Sequence, residues 1–220
     1  MQVLWVCVVI GVLVYGAMIY AIVNFRKSKG AVPVKVSHNT TMEVVWTVIP
    51  ALILVALAVP AAETLVKNSD TRNSQISIKV TGYQWRWGYE YLDTGVQFYS
   101  TLDRASNAAR RLGSGIDPHS VENYLLSVDK PLVVPVNTKV RLLLTAADVI
   151  HAWWVPALAI KQDAVPGYIN EVWFQADTEG VYRGQCAELC GMDHGFMPIV
   201  VKVTSKEEYD AWLSAQQAPK

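Results

Sequence analysis

The most concentrated chemistry in the sequence lies near the C-terminus, in the loop GQCAELCGMDHGFMP. Cys186, Cys190, His194 and Met197 fall within twelve positions of this loop. Their side chains offer two thiolates, an imidazole and a thioether, which are ligands for soft metal ions. The spacing therefore indicates a metal site or, more simply, a disulfide between the two cysteines.

Three interpretations compete for this loop. A disulfide suits the oxidising surroundings of an extracytoplasmic domain, but it leaves His194 and Met197 without a role. Zinc accepts cysteine and histidine, but it does not use a thioether ligand. Copper accepts thiolate, imidazole and thioether together, so the complete set of residues favours copper.

The number of cysteines bears on the kind of copper site. A single blue-copper ion needs one cysteine, two histidines and a weak methionine, so this loop has one cysteine too many. Two thiolates can instead bridge two copper ions, and each ion then needs an imidazole. His151 lies 35 residues before Cys186, just beyond a predicted strand at 138–146. We predict that His151 joins the loop, with the backbone carbonyl of Glu188 available for a sixth position.

Two long apolar segments precede this region. Residues 3–23 and 44–62 contain no charged side chain, and about 20 helical residues cross a bilayer core of roughly 30 Å. Neither segment has the polar face of a helix that packs on a soluble core. We predict a transmembrane hairpin over residues 1–66, with helices at about 3–25 and 43–66 and a cytoplasmic loop at 26–42.

The basic residues give the orientation of this hairpin. Arg26, Lys27, Lys29 and Lys35 follow the first apolar segment, and no acidic residue occurs before Glu43. A signal peptide has its basic residues before the apolar stretch, so the pattern argues against one. Positively charged loops stay in the cytoplasm, which places both termini and the large C-terminal portion on the outer face.

The remainder of the chain, residues 67–220, has the pattern of an all-β domain. Short β-branched and aromatic segments alternate with Gly, Pro, Asn and Asp, and no helices are interspersed as in a parallel sheet. We predict an antiparallel sandwich or barrel. The predicted strands are 75–80, 84–91, 123–128, 138–146, 170–176, 180–185 and 198–203.

Two other segments of this domain have distinct patterns. Residues 98–122 are rich in Gly, Ser and Asn, which predicts a long loop with room for one helical turn. Its three arginines are expected to be solvated, with a docking or subunit contact as the alternative. At the C-terminus, Ser205 and Glu208 form a capping-box pattern and Tyr209 and Trp212 share a face, which predicts a short helix lying on the sandwich.

An aromatic stretch, TGYQWRWGYEYLD, begins the all-β domain. Its rings recur at every second position, so a regular strand would place all of them on one face. Most of these rings are expected to pack in the core. The five residues are Tyr83, Trp85, Trp87, Tyr89 and Tyr91.

The loop GQCAELCGMDHGFMPIVV, the isolated histidine, the aromatic strand and the two apolar helices resemble cytochrome c oxidase subunit II, in the haem–copper oxidase family. The resemblance covers essentially the whole chain. It implies a two-helix transmembrane hairpin, a cupredoxin-like β-sandwich and a CuA centre of two copper ions. The implied copper ligands are His151, Cys186, the carbonyl of Glu188, Cys190, His194 and Met197.

The resemblance also implies the activity. A subunit of this kind accepts single electrons from cytochrome c and passes them to haem in subunit I, where oxygen is reduced to water and protons are pumped. Trp85 is the implied exposed ring where electrons arrive, although Arg86 stands where the family commonly has an aromatic residue. The acidic residues implied to steer cytochrome c are Glu90, Asp129, Asp148 and Asp163.

Two further roles rest on the resemblance. The side chain of Glu188 is implied to bind magnesium at the boundary with subunit I, which suits a hard carboxylate, against the alternative of a solvated loop residue. Glu43 is implied as the place where protons enter a channel into subunit I. The alternative is that its negative charge only stabilises the N-terminus of the helix. The implied partners are subunit I, subunit III and the lipid of a bacterial or mitochondrial inner membrane, without nucleic acid.

Other functions make different demands on the sequence. A quinol oxidase subunit II shares the hairpin and the fold but lacks the copper ligands. A copper-delivery protein uses Met/His-rich or exposed cysteine motifs and needs no strand of tryptophans. A membrane anchor with a disulfide between its cysteines binds no metal at all.

Overall fold

The computed structural model describes residues 2–32 and 38–217. The chain divides into two compact units, Met1–Val66 and Lys67–Lys220. We call them the helical unit and the sandwich unit. Lys35, one of the basic residues predicted to face the cytoplasm, lies outside the described residues.

Two long helices form the helical unit. Helix α1 spans Gln2–Asn24, and α2 spans Thr40–Ser69, which extends beyond the predicted 43–66 at both ends. Each is long and apolar enough to cross a membrane, with a mean hydropathy of 2.6 in Val3–Asn24 and 2.4 in Thr40–Ser69. A 3₁₀ turn, Lys27–Lys29, follows α1.

The start of α2 is defined by reciprocal hydrogen bonds. The Asn39 side chain accepts from the N–H of Met42 at 3.1 Å, and the Glu43 carboxylate accepts from the N–H of Asn39 at 3.1 Å. The arrangement resembles a capping box, except that the carboxylate comes from the fourth helical residue instead of the third, and it satisfies N–H groups that have no partner within the helix. It explains why the helix begins at Thr40, three residues before the predicted start.

The sandwich unit contains two sheets of five strands within the described residues. One sheet contains β1 (Ile76–Tyr83), β2 (Arg86–Tyr91), β3 (Gln97–Ser100), β5 (Val140–Ala146) and β8 (Asn170–Phe174), in the order β3-β2-β1-β5-β8. The other contains β4 (Leu132–Pro135), β6 (His151–Val155), β7 (Ile160–Ala164), β9 (Gly180–Cys186) and β10 (Pro198–Thr204), in the order β4-β10-β9-β6-β7. The predicted β-sandwich is confirmed.

The strand pairing differs from the purely antiparallel arrangement that we predicted. β1 pairs with β5 in parallel, and β4 pairs with β10 in parallel. In each case the chain visits the opposite sheet before it returns beside the earlier strand. Parallel neighbours need such a long crossover, and here other strands supply it.

Several predicted strand boundaries are wrong. Residues 123–128 do not form a strand: residues 123–125 form a turn, with Asn123 and Leu125 at φ of 51° and 60°, and Val128 makes only an isolated bridge to Leu102. The predicted strand 84–91 loses its first two residues to the turn between β1 and β2. The prediction missed β3, β4, β6 and β7, which have only four or five residues each.

The turn between β1 and β2 separates the aromatic rings into two groups. Trp87, Tyr89 and Tyr91 lie at alternate positions of β2 and are buried in the core. Tyr83 ends β1 and packs edge-on against Tyr99, with ring centroids 5.5 Å apart. The expectation that all five rings share one face is therefore wrong for Tyr83 and Trp85.

Two short helices complete the sandwich unit. Helix α3 spans Arg104–Ala109, within the long polar segment. Helix α4 spans Lys206–Gln217, and Ser205 Oγ accepts from the N–H of Glu208 at 3.1 Å, as the capping-box pattern predicts. Tyr209 of α4 is buried, and Trp212 packs against the core cluster. The predicted C-terminal helix is confirmed.

One buried hydroxyl links the two sheets. Tyr91 Oη donates to the carbonyl of Val133 at 2.6 Å and accepts from its N–H at 3.1 Å. Val133 lies in β4 at the edge of its sheet, so a side chain from the facing sheet satisfies its backbone.

Replacing Tyr91 with phenylalanine tests this link. We expect Tyr91→Phe to lower the free energy of unfolding by about 1–3 kcal/mol, because the Val133 N–H and carbonyl lose their buried partner. Denaturant unfolding of the detergent-solubilised chain, followed by tryptophan fluorescence, measures the change. Tyr168→Phe, whose ring is 62% exposed, is the control and should change stability by less than about 0.5 kcal/mol. Equal effects of the two substitutions would contradict the assigned role of Tyr91.

Candidate metal centre

The site begins where two neighbouring strands of the second sheet meet. Trp153 of β6 pairs with Cys186 of β9, and the N–H of Ala187 donates to the Ala152 carbonyl at 2.9 Å. This register places His151, the first residue of β6, beside Cys186, the last residue of β9. The 35-residue separation in sequence is therefore closed by ordinary sheet pairing.

The close approach of β9 to β6 depends on a glycine. A Cβ at Gly184 would lie 1.9 Å from the carbonyl oxygen of Trp154, a distance that no side chain permits. Glycine in a strand commonly marks such an approach of two backbones. Any larger residue would push β9 away from β6 and would separate His151 from Cys186.

The loop between β9 and β10 carries the remaining soft side chains. Cys190 Sγ lies 3.5 Å from His194 Nδ1 and 3.5 Å from Met197 Sδ. His194 starts a 3₁₀ turn, and Met197 directly precedes β10. The loop thus turns back on itself and directs three ligand atoms toward one point.

The two halves of the site meet at the cysteines. Cys186 Sγ lies 3.9 Å from His151 Nδ1, 3.9 Å from Cys190 Sγ and 3.4 Å from the carbonyl oxygen of Glu188. The structure therefore brings together the five soft side chains and the carbonyl that the sequence singled out.

The distances distinguish a metal site from a disulfide. A disulfide requires sulfurs about 2.05 Å apart, whereas the 3.9 Å separation leaves both thiols free. The ligand atoms of His151, Cys186 and Cys190 all lie within 4.8 Å of one another, which is close enough for a shared metal. Thiols, imidazoles and a thioether together fit copper, and the thioether does not suit zinc.

The site is largely closed to solvent. His151 and Met197 are 0% and 1% exposed, and Cys190 and Cys186 are 3% and 6% exposed. His194 is half-buried. The soft ligands therefore belong to the hydrophobic core at one end of the sandwich, where the surrounding atoms limit access of water.

Asp148 orients the ring of His151. Its Oδ1 lies 2.9 Å from His151 Nε2 and accepts from the N–H of Val149, and its Oδ2 accepts from the N–H of Gln84 at 2.7 Å. A proton on Nε2 leaves Nδ1 free to face the thiol. A Cβ at Gly82 would lie 2.7 Å from the imidazole, so glycine also makes room for the ring. Both oxygens of Asp148 thus have partners inside the protein.

The ionisable groups of the site perturb one another. Burial raises the pKa of Cys186, but hydrogen bonds with His151 and with the backbone of Ala152 outweigh it and lower the pKa to about 7. Burial, together with the nearby Cys186 sulfur, raises the pKa of Cys190. Burial lowers the pKa of His151, but hydrogen bonds with Cys186 and Asp148 outweigh it and raise the pKa above its ordinary value. The Cys186 thiol is therefore more acidic than the Cys190 thiol.

Trp85 connects the surface to the loop. It lies in the β1–β2 turn with its ring half-buried, and its Nε1 donates to the carbonyl of Cys190 at 3.2 Å. The Gln84 side chain donates to the same carbonyl at 2.9 Å. A Cβ at Gly191, where φ is +117°, would lie 3.0 Å from the Trp85 ring, so glycine permits the contact.

Sequence reasoning missed some residues that support the site. Trp87, which the sequence assigned only to the core, donates from Nε1 to the Met197 carbonyl at 3.3 Å and lies edge-on to the His151 ring. No sequence pattern identifies Gln84 as a supporting residue, except that it directly precedes Trp85. Asp148 was predicted to steer a partner, whereas the structure places it against His151.

The other acidic residues that the sequence singled out lie in several places. Glu188 has an exposed side chain, and Asp163 is exposed on β7. Glu90 forms an ion pair with Lys79 at 3.6 Å, and Asp129 accepts from the N–H of Thr101 at 2.7 Å. Glu43 belongs to the helical unit, where its carboxylate accepts from the N–H of Asn39 at the start of α2.

Comparison with known families covers almost the whole chain. Residues 76–204 match the family described as cytochrome c oxidase subunit II, periplasmic domain, and residues 1–63 match its transmembrane domain. The fold and the site define a membrane-anchored protein with a copper-binding, cupredoxin-like domain. The chain belongs to the cytochrome c oxidase subunit II family, and it is therefore a subunit of a haem–copper oxidase complex, which is an oxidoreductase.

Individual relatives agree with this assignment. Cytochrome c oxidase subunit 2 of Cereibacter sphaeroides is 42% identical over 204 residues, which cover 89% of this chain and 67% of the relative. The protein of the same name from Arabidopsis thaliana is 38% identical over 213 residues, which cover 96% of this chain and 80% of the relative.

Solved structures resemble the sandwich unit. The crystal structure of the periplasmic domain of subunit II of cytochrome oxidase (CoxB) of Bradyrhizobium japonicum matches with a TM-score of 0.58 and 39% identity, covering 67% of this chain and 97% of that one. A mixed disulfide intermediate between a thioredoxin-like protein and subunit II of cytochrome c oxidase matches with a TM-score of 0.54 and 40% identity, covering 67% and 94%.

The different acidities of the two thiols can be measured in the reduced, metal-free chain. We expect thiolate absorbance in the ultraviolet to rise with a midpoint near pH 7, since the pKa of Cys186 is lowered to about 7. An ordinary thiol titrates higher, at about 8.5. Cys186→Ser should abolish this first step, and Cys7→Ser is the control that should retain it. A step near pH 7 that survives in Cys186→Ser would show that another group carries it.

Proposed function

We propose that this chain is the subunit of a respiratory cytochrome c oxidase that accepts electrons at a dinuclear copper centre and passes them to haem in subunit I. Oxygen reduction to water, with proton pumping, then takes place in the partner. The observation that carries the proposal is the convergence of two free thiols, two imidazoles and a thioether, with the sulfurs 3.9 Å apart.

The chain's own groups would hold the metal. The proposed ligands are His151, Cys186, the carbonyl of Glu188, Cys190, His194 and Met197. When bound, two copper ions would supply one-electron transfer, and the protein would supply their binding and orientation.

The protein contributes rigidity and the exclusion of water. Pairing of β6 with β9 fixes His151 and Cys186, and Asp148 fixes the imidazole ring. The buried positions of Met197 and Cys190 keep solvent dipoles away from the ligands. Both features keep the surroundings unchanged as charge arrives and leaves.

Electrons reach the centre, in this proposal, through Trp85. Its ring is partly exposed, and its indole N–H contacts the carbonyl of a proposed ligand residue, Cys190. An indole ring suits an interface that is partly wet. Cytochrome c would dock around this ring, with the acidic residues Glu90, Asp129, Asp148 and Asp163 as the proposed docking set.

The charges near Trp85 qualify this docking set. Asp148 has both oxygens engaged, Glu90 is paired with Lys79, and the Arg86 guanidinium lies 4.0 Å from the centroid of the Tyr99 ring. Among the four acidic residues, Asp129 and Asp163 form no ion pair within the described residues, so they are the members of the set whose charge is not offset by a paired cation. Electrostatic attraction to a basic cytochrome c weakens as salt increases.

Three further assignments are proposals of the same account. The exposed carboxylate of Glu188 would bind magnesium at the boundary with subunit I. Glu43 would receive protons for a channel in subunit I, and its present hydrogen bond to Asn39 would have to open for that role. The loop between α1 and α2 would face the cytoplasm or matrix, with both termini and the copper centre on the periplasmic or intermembrane side.

The rival functions are not favoured. A copper-free quinol oxidase subunit would have no use for the five converging soft side chains. A copper-delivery protein would expose its ligands, whereas Cys186 and Cys190 are buried here. A disulfide-linked anchor would have its sulfurs bonded, whereas both thiols are free.

Copper stoichiometry and electron paramagnetic resonance test the proposal directly. We expect two copper ions per purified chain that share a single unpaired electron, and we expect Cys186→Ser and Cys190→Ser each to lose that signal because a thiolate ligand is removed. Cys7→Ser, in α1, is the control and should retain it. A chain with bound zinc, or with one isolated copper ion, would contradict the proposal.

The role of Trp85 is tested by rapid kinetics in the assembled oxidase. We expect Trp85→Phe to slow electron uptake from reduced cytochrome c by roughly an order of magnitude, because a contact on the path is lost. Copper content should be unchanged, since the Gln84 side chain still donates to the Cys190 carbonyl. Trp154→Phe, on the neighbouring surface of β6, is the matched control. Equal rates in the two variants would remove Trp85 from the path.

A further inference from the structure

We propose that Arg110 is a positioning residue for the copper loop, which we define as residues 187–197. Through Arg110, the segment 103–127 holds this loop in its metal-binding conformation before copper arrives. The inference rests on the proposed function in that the loop is taken to bind metal. Arg110 belongs to the polar region 98–122, whose arginines the sequence predicts to be solvated, with a docking or subunit contact as the alternative.

The contact of Arg110 with the copper loop has two components. Its Nη1 and Nη2 donate to the two carboxylate oxygens of Asp193 at 3.2 and 3.1 Å, which is a bidentate, charge-assisted pair. Its guanidinium also lies over the Phe196 ring, 4.2 Å from the centroid. The side chains of Arg110 and Asp193 are each only 25% exposed, so water screens the pair less than an ordinary surface pair.

The two residues that Arg110 grips are placed next to the ligands. Asp193 directly precedes His194, and Phe196 directly precedes Met197. The N–H of Phe196 also donates to the Asp193 carbonyl at 2.9 Å, so Arg110 contacts both ends of a single turn. Because Gly191 and Gly195 lie in the same stretch, the backbone has few restraints of its own here. Contacts from outside the loop, among them the Arg110 pair, therefore fix where His194 and Met197 point.

Helix α3 holds Arg110 in place. Its Nε donates to Asn107 at 2.8 Å, and it forms the C-terminal cap of α3, whose first turn is capped by Asp103. Ser106 of α3 is fully buried, and its hydroxyl accepts from the N–H of Leu125 at 3.1 Å. This bond joins the two ends of the segment, which makes α3 a fixed support.

The segment is also attached to the strand that carries the other cysteine. Arg183 of β9 donates from Nη1 to the Leu126 carbonyl at 2.5 Å and to Ser127 Oγ at 3.3 Å. Arg183 lies three residues before Cys186. The segment 103–127 thus links β9, which positions Cys186, to the turn that positions His194 and Met197.

The experiment compares full-length variants in detergent, both copper-free and copper-loaded. In the reduced, copper-free chain we expect Arg110→Ala to raise amide hydrogen exchange in residues 190–197 about tenfold, because a charge-assisted contact is lost. In the loaded chain we expect copper to transfer to a chelator about tenfold faster, and the absorption spectrum of the bound copper to change. Arg111→Ala, an exposed arginine at the next position, is the matched control and should leave all three unchanged.

Two conservative variants separate positioning from general stability. Arg110→Lys keeps the charge but loses the fork, so it should give a smaller increase in exchange than Arg110→Ala. Asp193→Asn keeps the shape but loses the charge, and should act in the same direction. Exchange in the strands β5 and β10 should not change in either variant. If Arg110→Ala prevents folding, these two variants decide the outcome.

The inference would be overturned if residues 190–197 exchange equally in the Arg110 and Arg111 variants, or if exchange rises uniformly over the sandwich unit. The hydrogen-exchange measurement is made on the copper-free chain. A wild-type chain that binds no copper pair would therefore overturn the proposed function, while the exchange result would still decide whether Arg110 positions the loop.

Discussion

Pairing of β6 with β9 is the constraint on which the site depends. The register that joins Trp153 to Cys186 brings an imidazole and a thiol together from strands that are distant in sequence. Backbone hydrogen bonds set this register, and a strand that slips by one residue turns all its side chains to the opposite face. Gly184 is the residue that allows the two backbones to approach. The geometry of the ligands is thus a property of the sheet.

The loop after β9 uses a different kind of support. It has no ladder of backbone hydrogen bonds, and contacts from three directions hold it instead. Trp85 and Gln84 donate to the Cys190 carbonyl, Trp87 donates to the Met197 carbonyl, and Arg110 holds Asp193. Side-chain donors thus satisfy carbonyl groups that the irregular backbone leaves free. The same contacts lead from a partly exposed indole to a ligand residue, so one network provides support and connection.

Burial gives the site its electrical character. In a largely closed site, charges and hydrogen bonds act more strongly than in water, which explains why neighbouring thiols differ so much in pKa. His151 is held between a carboxylate and a thiol, and both interactions stabilise one ring orientation. A rigid and largely closed site suits the proposed transfer of single electrons, and the chain belongs to an oxidase family.

Most of what the sequence could predict came from the chemistry of its side chains and from the position of its apolar segments. The soft residue types identified the ligands, and the uncharged runs identified the two helices, because neither depends on distant contacts. Short strands such as β4 and β6 were missed because four or five residues give too little periodicity. The turn at Trp85 was hidden because aromatic alternation continues through it. The pairing of Arg110 with Asp193 joins residues 83 positions apart, and no local pattern marks it.

The most direct test of the account is a high-resolution crystal structure of the reduced, metal-free chain in its complex. The account predicts that the fold alone keeps the Cys186 and Cys190 sulfurs unbonded, about 3.9 Å apart, with His151 Nδ1 directed at Cys186 Sγ. A disulfide under reducing conditions, or a His151 ring turned away from Cys186, would contradict it.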